Sequence, residues 1–255
     1  MEPWHYPILF AAAFVAGGVN SIAGGGSVVS FPLMLWTGIP PVVANATNNM
    51  TLFPGYAASA NGYRDELRTA DRSLLVFLLP AVAGGAVGAV LLLNTPSTVF
   101  ESIAPLLVLF ATALVALQGR VARWSERVVA RGRTRGWWVA TFAADFLLSV
   151  YGGYFGVGLG ILLLGLLGLM GFRNLHEMNG MKAILSAAIV AMALVYFSVK
   201  GAIWWSVGLV MAAGAVLGGY TSARVARRVS QEAIRRAVVV VGVGMALSLA
   251  IRTYL

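Results

Sequence analysis

Two glycine-rich segments stand out, because each interrupts an apolar stretch of membrane length. Glycine weakens a helix, and a broken helix presents backbone N–H groups and a positive dipole end where the next half-helix begins. Both groups attract anions, so the two segments predict an anion-binding cradle, with close helix packing by small residues as the alternative. The candidate binding residues are Asn20, Gly24, Gly25, Gly26 and Ser27 in the first segment and Tyr154, Gly158 and Gly160 in the second.

A polar segment at 45–49 follows the first glycine-rich segment. Helix N-capping needs one polar side chain, whereas this segment has three amides and one hydroxyl. The surplus favours a polar binding site over capping by Asn45 or Thr47 alone. The candidate residues are Asn45, Thr47, Asn48 and Asn49.

The corresponding part of the second half contains Asn179 and Lys182. An alignment of the two halves places Lys182 opposite Asn49. A lysine facing a cavity at that depth would offer a fixed positive charge to an anion. The alternatives are that its ammonium group reaches the membrane surface or pairs with Glu177.

Two carboxylates are candidates for carrying a coupling proton. Asp145 lies well inside an apolar run, where a charge is costly and often functional. A structural pairing of Asp145 with an arginine of the neighbouring basic segment is an equal alternative. Glu177 lies near a connecting segment, so an interfacial position is its alternative.

Enzyme and metal chemistry are not indicated. The chain has no cysteine and only two histidines, which argues against a metal cage or a disulfide framework. It has neither a nucleophile elbow nor a Walker lysine, and no strand–helix pattern surrounds its glycines. We therefore predict no catalytic residue, no metal and no cofactor.

The composition predicts an all-α polytopic membrane protein. Of its residues, 59% are hydrophobic and 11% are charged, against about 25% charged in soluble domains, and its mean hydropathy is +0.84. The chain start lacks the basic region of a cleavable signal, so we expect the first apolar run to be retained. Apolar runs lie at 7–37, 42–63, 73–93, 99–118, 137–170, 178–199, 203–223 and 234–251.

Matching glycines in the two halves indicate a tandem duplication. Gly25 aligns with Gly158, and Gly38 with Gly171. We predict a first transmembrane repeat at 1–118, a basic cytoplasmic loop at 119–136 and a second repeat at 137–255.

The arginine clusters at 120–135 and 224–236 predict an orientation, because such clusters normally face the cytoplasm. Both do so only if the second glycine-broken run enters the membrane and returns. This gives two inverted repeats, each a glycine-broken helix or re-entrant hairpin plus three transmembrane helices. The alternative is a parallel repeat of eight simple helices, in which one arginine cluster violates the rule.

The net charge of +9 lies largely in these clusters, so we expect contact with anionic lipid heads and no nucleic-acid binding. The small-residue pairs Gly84/Gly88 and Gly214/Gly218 favour helix packing and permit a homodimer.

The first half resembles the TauE/SafE family of sulfite and organosulfonate exporters. The resemblance rests on the glycine cluster, the Pro32-Leu33 pair, the turn Gly38-Ile39-Pro40-Pro41 and the segment 44–48. It covers nearly the whole chain, although the second copy is degenerate, with Gly165 where Pro32 stands.

The resemblance implies a secondary transporter, in the exporting direction, for small sulfur-containing anions such as sulfite, sulfoacetate or other sulfonates. It also implies the bacterial inner (cytoplasmic) membrane. We expect alternating access around a central site where the two halves meet. A passive anion channel and a non-transporting membrane subunit remain the alternatives.

Overall fold

The computed structural model of the chain describes residues 2–22, 25–65, 72–128, 135–170, 172, 175–225 and 231–254. All regular secondary structure within these ranges is helical. A 3-10 helix, Arg72–Phe77, leads into α4. The α-helices are α1 (His5–Ile22), α2 (Ser27–Trp36), α3 (Pro41–Gly62), α4 (Leu78–Asn94), α5 (Ser97–Val128), α6 (Arg135–Tyr154), α7 (Leu159–Leu169), α8 (Leu175–Val199), α9 (Trp205–Val225) and α10 (Gln231–Tyr254).

Each predicted glycine interruption separates two helices, α1 from α2 and α6 from α7. Gly25 has a φ of +81°, and Gly156 and Gly158 have φ values of +74° and +80°. A side chain is strained in this left-handed conformation, whereas glycine adopts it freely. Each interrupted run therefore folds as a long helix followed by a short one.

The helix lengths fit a membrane protein. Four described helical segments are long and apolar enough to cross a membrane by length and composition. In contrast, α2 and α7 have 10 and 11 residues, and a crossing needs about 20. The prediction of an all-α protein with membrane-spanning helices is confirmed. The four segments are Leu75–Asn94, Ser97–Leu117, Glu177–Val199 and Arg235–Tyr254.

The basic segment at 119–136 is more helical than predicted. Its first part, to Val128, continues α5, since residues 120–128 contain no glycine or proline to stop the helix. Residues 135 and 136 begin α6, whereas 129–134 lie outside the described residues, as does 226–230 in the other arginine cluster. Arg131, Arg133, Arg227 and Arg228 lie in these two segments.

Contacts between helix termini define one end of the helix bundle, here called the first end. They bring together the starts of α1, α5 and α9 and the ends of α2 and α10. The hydroxyl-to-hydroxyl distance between Tyr6 and Ser206 is 3.2 Å. The other two contacts join the Arg252 guanidinium to the Leu35 carbonyl and the Tyr254 hydroxyl to the Ser102 carbonyl.

Aromatic rings define the opposite, second end. Phe77 lies just before α4 and stacks on Trp138 near the start of α6, with ring centroids 5.8 Å apart. Phe172, between α7 and α8, packs in the same apolar cluster. Together with the contacts at the first end, this arrangement means that consecutive helices run in alternating directions.

The closest helix packing joins α1 to α9 and α4 to α6. A Cβ atom at Gly218 would overlap the Phe14 carbonyl of α1, and a Cβ atom at Gly88 would overlap the Val150 carbonyl of α6. Small residues allow this approach of two backbones. The two pairs correspond to each other when the helices α1–α5 of the first half are exchanged, in order, for α6–α10 of the second half. The contacts of α3 with α8 and of α5 with α10 fit the same exchange.

We predict that Gly218→Ala and Gly88→Ala lower the thermal unfolding midpoint of the purified protein in detergent. The added methyl groups must push two backbones apart, and overpacking of this kind costs about 1–3 kcal/mol. Gly244→Ala is the matched control, because nothing lies within 4 Å of a Cβ there. Equal midpoints for Gly218→Ala and Gly244→Ala would contradict the packing argument.

Candidate functional site

The polar segment 45–49 lies inside α3 rather than at its cap. The helix begins at Pro41, directly after Pro40, a position that suits proline because the first helical N–H needs no partner. Capping therefore does not explain the amides. The four candidate side chains are buried, with exposed fractions of 0% for Asn45 and Thr47 and 2% for Asn48 and Asn49.

The asparagines of α3 contact both glycine interruptions. On the first side, Ser30 of α2 donates a hydrogen bond of 2.7 Å to the Asn48 Oδ1. On the second side, the Asn45 amide donates to the Tyr154 carbonyl at 2.6 Å. The Asn49 Oδ1 lies 3.1 Å from where a Cβ of Gly156 would be. The amide face of α3 thus lies between the two broken helices.

The two interruptions also approach each other across α5. A Cβ at Gly25 would be 2.6 Å from Val115, and one at Gly158 would be 3.6 Å from Ala111. Positions 111 and 115 are one helical turn apart, on the same face. Ile161 in the first turn of α7 also faces Gly25, at 3.8 Å from that Cβ position.

The second half contributes a cation beside α7. Lys182 of α8 donates a hydrogen bond of 3.0 Å to the Asn179 Oδ1. Its aliphatic chain lies against Gly160, since a Cβ there would be 3.5 Å from the Lys182 Cδ. Lys182 is half-buried. Lys182, Asn179 and Gly160 therefore lie side by side.

The first turn of α2 uses two backbone donors internally, because the Val28 and Val29 N–H groups bond to the Gly25 and Gly26 carbonyls at 3.0 and 2.9 Å. The positive N-terminal ends of α2 and α7 lie at the two interruptions. Ser27 is buried in the first turn of α2, and Gly24 lies outside the described residues.

Other predicted residues lie around this centre. Asn20, in the last turn of α1, is hydrogen-bonded to the Tyr56 side chain of α3. The Thr47 hydroxyl accepts a bond of 3.0 Å from the Trp204 N–H between α8 and α9. Glu177 lies in the first turn of α8 and is half-buried.

Asp145 lies elsewhere, on α6, a helix that packs against α4 and α8. It is fully buried, and neither carboxylate oxygen has a hydrogen-bond partner among the described residues. The same is true of the Ser149 and Ser186 hydroxyls, which were not predicted. Helical spacing could have found them, because Ser149 is four residues from Asp145 and Ser186 four from Lys182.

The fold and this centre define a class. The chain is a multi-pass helical membrane protein whose buried polar side chains gather between two broken helices. That arrangement is typical of membrane transporters, in which irregular backbone at membrane depth lines a binding cavity.

Comparison with known proteins supports this class and gives the family. Residues 9–249 match the family model described as Sulfite exporter TauE/SafE, so the chain belongs to the TauE/SafE family. It is therefore a membrane transporter and not an enzyme.

Relatives that are named as transporters align with this chain over nearly their full length. A probable membrane transporter protein, ORF9, from a Sinorhizobium species is 32% identical over 94% of this chain and 90% of its own. A probable membrane transporter protein of Haemophilus influenzae is 30% identical over 91% and 89%. The Escherichia coli protein YfcA, also named a probable membrane transporter, is 29% identical over 98% and 91%. No solved structure matches significantly.

We predict that Asn45→Ala lowers the thermal unfolding midpoint, because it removes the amide that binds the Tyr154 carbonyl. The expected cost is about 1 kcal/mol, in the range measured for side-chain hydrogen bonds between membrane helices. Asn94→Ala is the control, since Asn94 is exposed and bonds only to its own helix at the Val90 carbonyl. An Asn45→Ala midpoint no lower than that of Asn94→Ala would contradict the role of this bond.

Proposed function

We propose that this transporter exports small sulfur-containing anions, such as sulfite, sulfoacetate or other sulfonates, by alternating access around a central site. The observation that carries the proposal is the set of buried amides of α3 placed between two broken helices. The sulfur chemistry is supported by the family description alone.

The chemistry of the centre suits an oxyanion that must bind and also leave. Asparagine amides and a serine hydroxyl donate hydrogen bonds without a full charge, and the ends of α2 and α7 add a partial positive potential. Lys182 supplies one full positive charge at the edge of the cluster. The proposed substrate-binding residues are Asn20, Gly24, Gly25, Gly26, Ser27, Asn45, Thr47, Asn48, Asn49, Tyr154, Gly158, Gly160, Asn179 and Lys182.

The two halves would be inverted repeats, related by an axis in the membrane plane. Support comes from the alternating helix directions: α1 starts at the first end of the bundle, whereas its counterpart α6 starts at the second. The α1–α2 and α6–α7 hairpins would then enter from opposite sides and meet at the centre. Such an arrangement provides two routes to one site, as alternating access requires.

Proton coupling, membrane orientation and oligomeric state also belong to the proposal. Asp145 and Glu177 are the candidates for carrying a coupling proton. The arginine-rich segments would face the cytoplasm and contact anionic lipid heads, with the protein in the bacterial inner membrane. A homodimer is compatible with this proposal.

Cysteine labelling tests the inverted orientation, because the natural chain has no cysteine. Lys200 and Arg64 are exposed residues in corresponding connections, between α8 and α9 and after α3. We expect a membrane-impermeant thiol reagent to label Lys200→Cys in intact cells. It should label Arg64→Cys only after permeabilisation. Labelling of both from the same side would support the parallel repeat instead.

Thermal stabilisation tests the substrate class. Purified protein should be stabilised by one of sulfite, sulfoacetate or taurine over sulfate, acetate and chloride at matched ionic strength. A ligand at about 100 times its dissociation constant adds about 2.7 kcal/mol. We expect the shift to disappear in Lys182→Ala and Asn48→Ala and to persist in Lys200→Ala, which removes an exposed lysine.

Stabilisation by none of these anions would contradict the proposed substrate. It would direct attention to the passive channel, recognised by conductance too fast for a carrier, or to a non-transporting subunit.

A further inference from the structure

The turn Gly38-Ile39-Pro40-Pro41 between α2 and α3 forms one wall of a cavity that the central site does not use. The cavity measures about 160 Å³, whereas one water needs only about 10–15 Å³. It lies at the first end of the bundle, where the end of α2, the start of α5 and the end of α10 form its other walls. Its polar lining includes Glu101 and Arg252, and its apolar lining includes Leu35 and Leu249.

Two contacts hold the end of α10 against the other walls. The Arg252 guanidinium donates to the Leu35 carbonyl at 3.3 Å, and the Tyr254 hydroxyl donates to the carbonyl of Ser102, the neighbour of Glu101. Arg252 and Glu101 thus line one cavity with opposite charges. Within the described part of the chain, no ion pair joins them, and the Glu101 carboxylate has no hydrogen-bond donor.

Arg252 is the donor that this cavity offers to an oxyanion. The turn 38–41 contributes no free backbone N–H, because two of its residues are prolines and the other two N–H groups bond to the Leu35 and Met34 carbonyls. A guanidinium has five N–H donors, and the bond to Leu35 uses one of them. Arg252 therefore keeps donors for a phosphate or a sulfonate, the groups that arginine binds best.

Glu101 provides two acceptors on the wall that α5 forms. Pro105 lies inside α5 and has no N–H for the Glu101 carbonyl four residues earlier, which an ordinary helical residue would satisfy. The carbonyl and the carboxylate of Glu101 can both accept from a cation with N–H groups. A primary ammonium has three such donors, whereas a quaternary ammonium has none.

The cavity lies at the depth of lipid headgroups. The apolar span Ser97–Leu117 begins four residues before Glu101, and the span Arg235–Tyr254 ends two residues after Arg252. At 1.5 Å per residue, the two charged residues are about 6 and 3 Å along the helices from these span ends. Both side chains are exposed, so the cavity can be reached from outside the bundle.

Exposed apolar side chains continue from the cavity toward the interior of the bilayer. Leu109 of α5, one turn beyond Pro105, is 47% exposed, and Leu247 of α10 is 60% exposed. Side chains of this kind on a membrane-spanning helix contact acyl chains. A ligand in the cavity can therefore carry acyl chains along α5 and α10.

We propose that this cavity binds the headgroup of a phospholipid that has both a phosphate and a primary ammonium, as in phosphatidylethanolamine. Arg252 binds the phosphate, and Glu101 accepts hydrogen bonds from the ammonium. The site is separate from the lipid contacts expected at the arginine-rich segments, because those follow α5 and α9, which both start at the first end. It does not rest on the proposed anion transport.

The test is thermal unfolding of the purified full chain in detergent micelles with one added dioleoyl phospholipid at a fixed mole fraction. We expect phosphatidylethanolamine to raise the midpoint above that in phosphatidylcholine by roughly 5–10 °C at about 100 times its dissociation constant. Stepwise N-methylation of the headgroup should reduce this difference, because each methyl removes a donor. Glu101→Gln and Arg252→Gln should each weaken the apparent affinity for phosphatidylethanolamine at least about tenfold.

Glu2→Gln and Arg64→Gln are the matched controls, because each neutralises an exposed charge outside the cavity, and both should keep the lipid preference. Scoring every variant by its difference between the two lipids removes changes in basal stability. Equal midpoints in the two lipids for the natural protein would overturn the site, as would a preference unchanged in both cavity variants. Equal stabilisation by phosphatidylglycerol, which has no ammonium, would overturn the role of Glu101.

Free zwitterions with the same two charges form a separate arm of the experiment. Glycerophosphoethanolamine and taurine, added without lipid, should give no shift at concentrations that match the lipid. A shift with either compound that disappears in Glu101→Gln would assign the cavity to a free solute and overturn the lipid. The anion response that depends on Lys182 is measured independently, so its failure would leave a lipid preference at this cavity intact.

Discussion

The structure depends on one constraint: every backbone polar group released by a helix break inside a bilayer must find a partner within the protein or face a wet cavity. At the second break, the partners are the Asn45 amide, which binds the Tyr154 carbonyl, and the Tyr151 hydroxyl, which binds the Val157 carbonyl at 2.5 Å. The polar side chains of the centre therefore serve first to satisfy the backbone carbonyls at the break. What remains for an anion is the set of donors that this support leaves unused, since the unpartnered Oδ1 of Asn45 is itself an acceptor.

Local signals made the breaks and the helices predictable. Glycine conformational freedom and apolar run length act within a few residues, so both interruptions and most helix bounds follow from the sequence. The bond from Asn45 to Tyr154 joins residues 109 positions apart, and no local pattern indicates which carbonyl an asparagine will reach. The buried, unpartnered Ser149 and Ser186 hydroxyls were missed for a related reason, since one hydroxyl in an apolar helix usually bonds to its own backbone.

The two halves share a framework of contacts but not its polar side chains. In the first half, α3 supplies amides and no charge, while its counterpart α8 supplies Lys182 and Ser186. Asp145 on α6 has Ala12 as its counterpart on α1 in the alignment of the halves. Helix packing depends on glycines and on the shapes of apolar side chains, so the polar residues can differ between the two halves without disturbing it. One half can thus provide hydrogen-bond donors while the other holds the charges that would couple ions to them.

Close packing also limits how alternating access could proceed. The contacts at Gly218 and Gly88 join backbones of opposite halves, α9 to α1 and α4 to α6. Rocking one sequence half against the other would separate both pairs, at the cost of their closest contacts. Under the proposed mechanism, the moving bodies are consequently mixed ones that keep α1 with α9 and α4 with α6. Motion would then concentrate where glycines face side chains instead of backbone, as Gly25 faces Val115 and Gly160 faces Lys182.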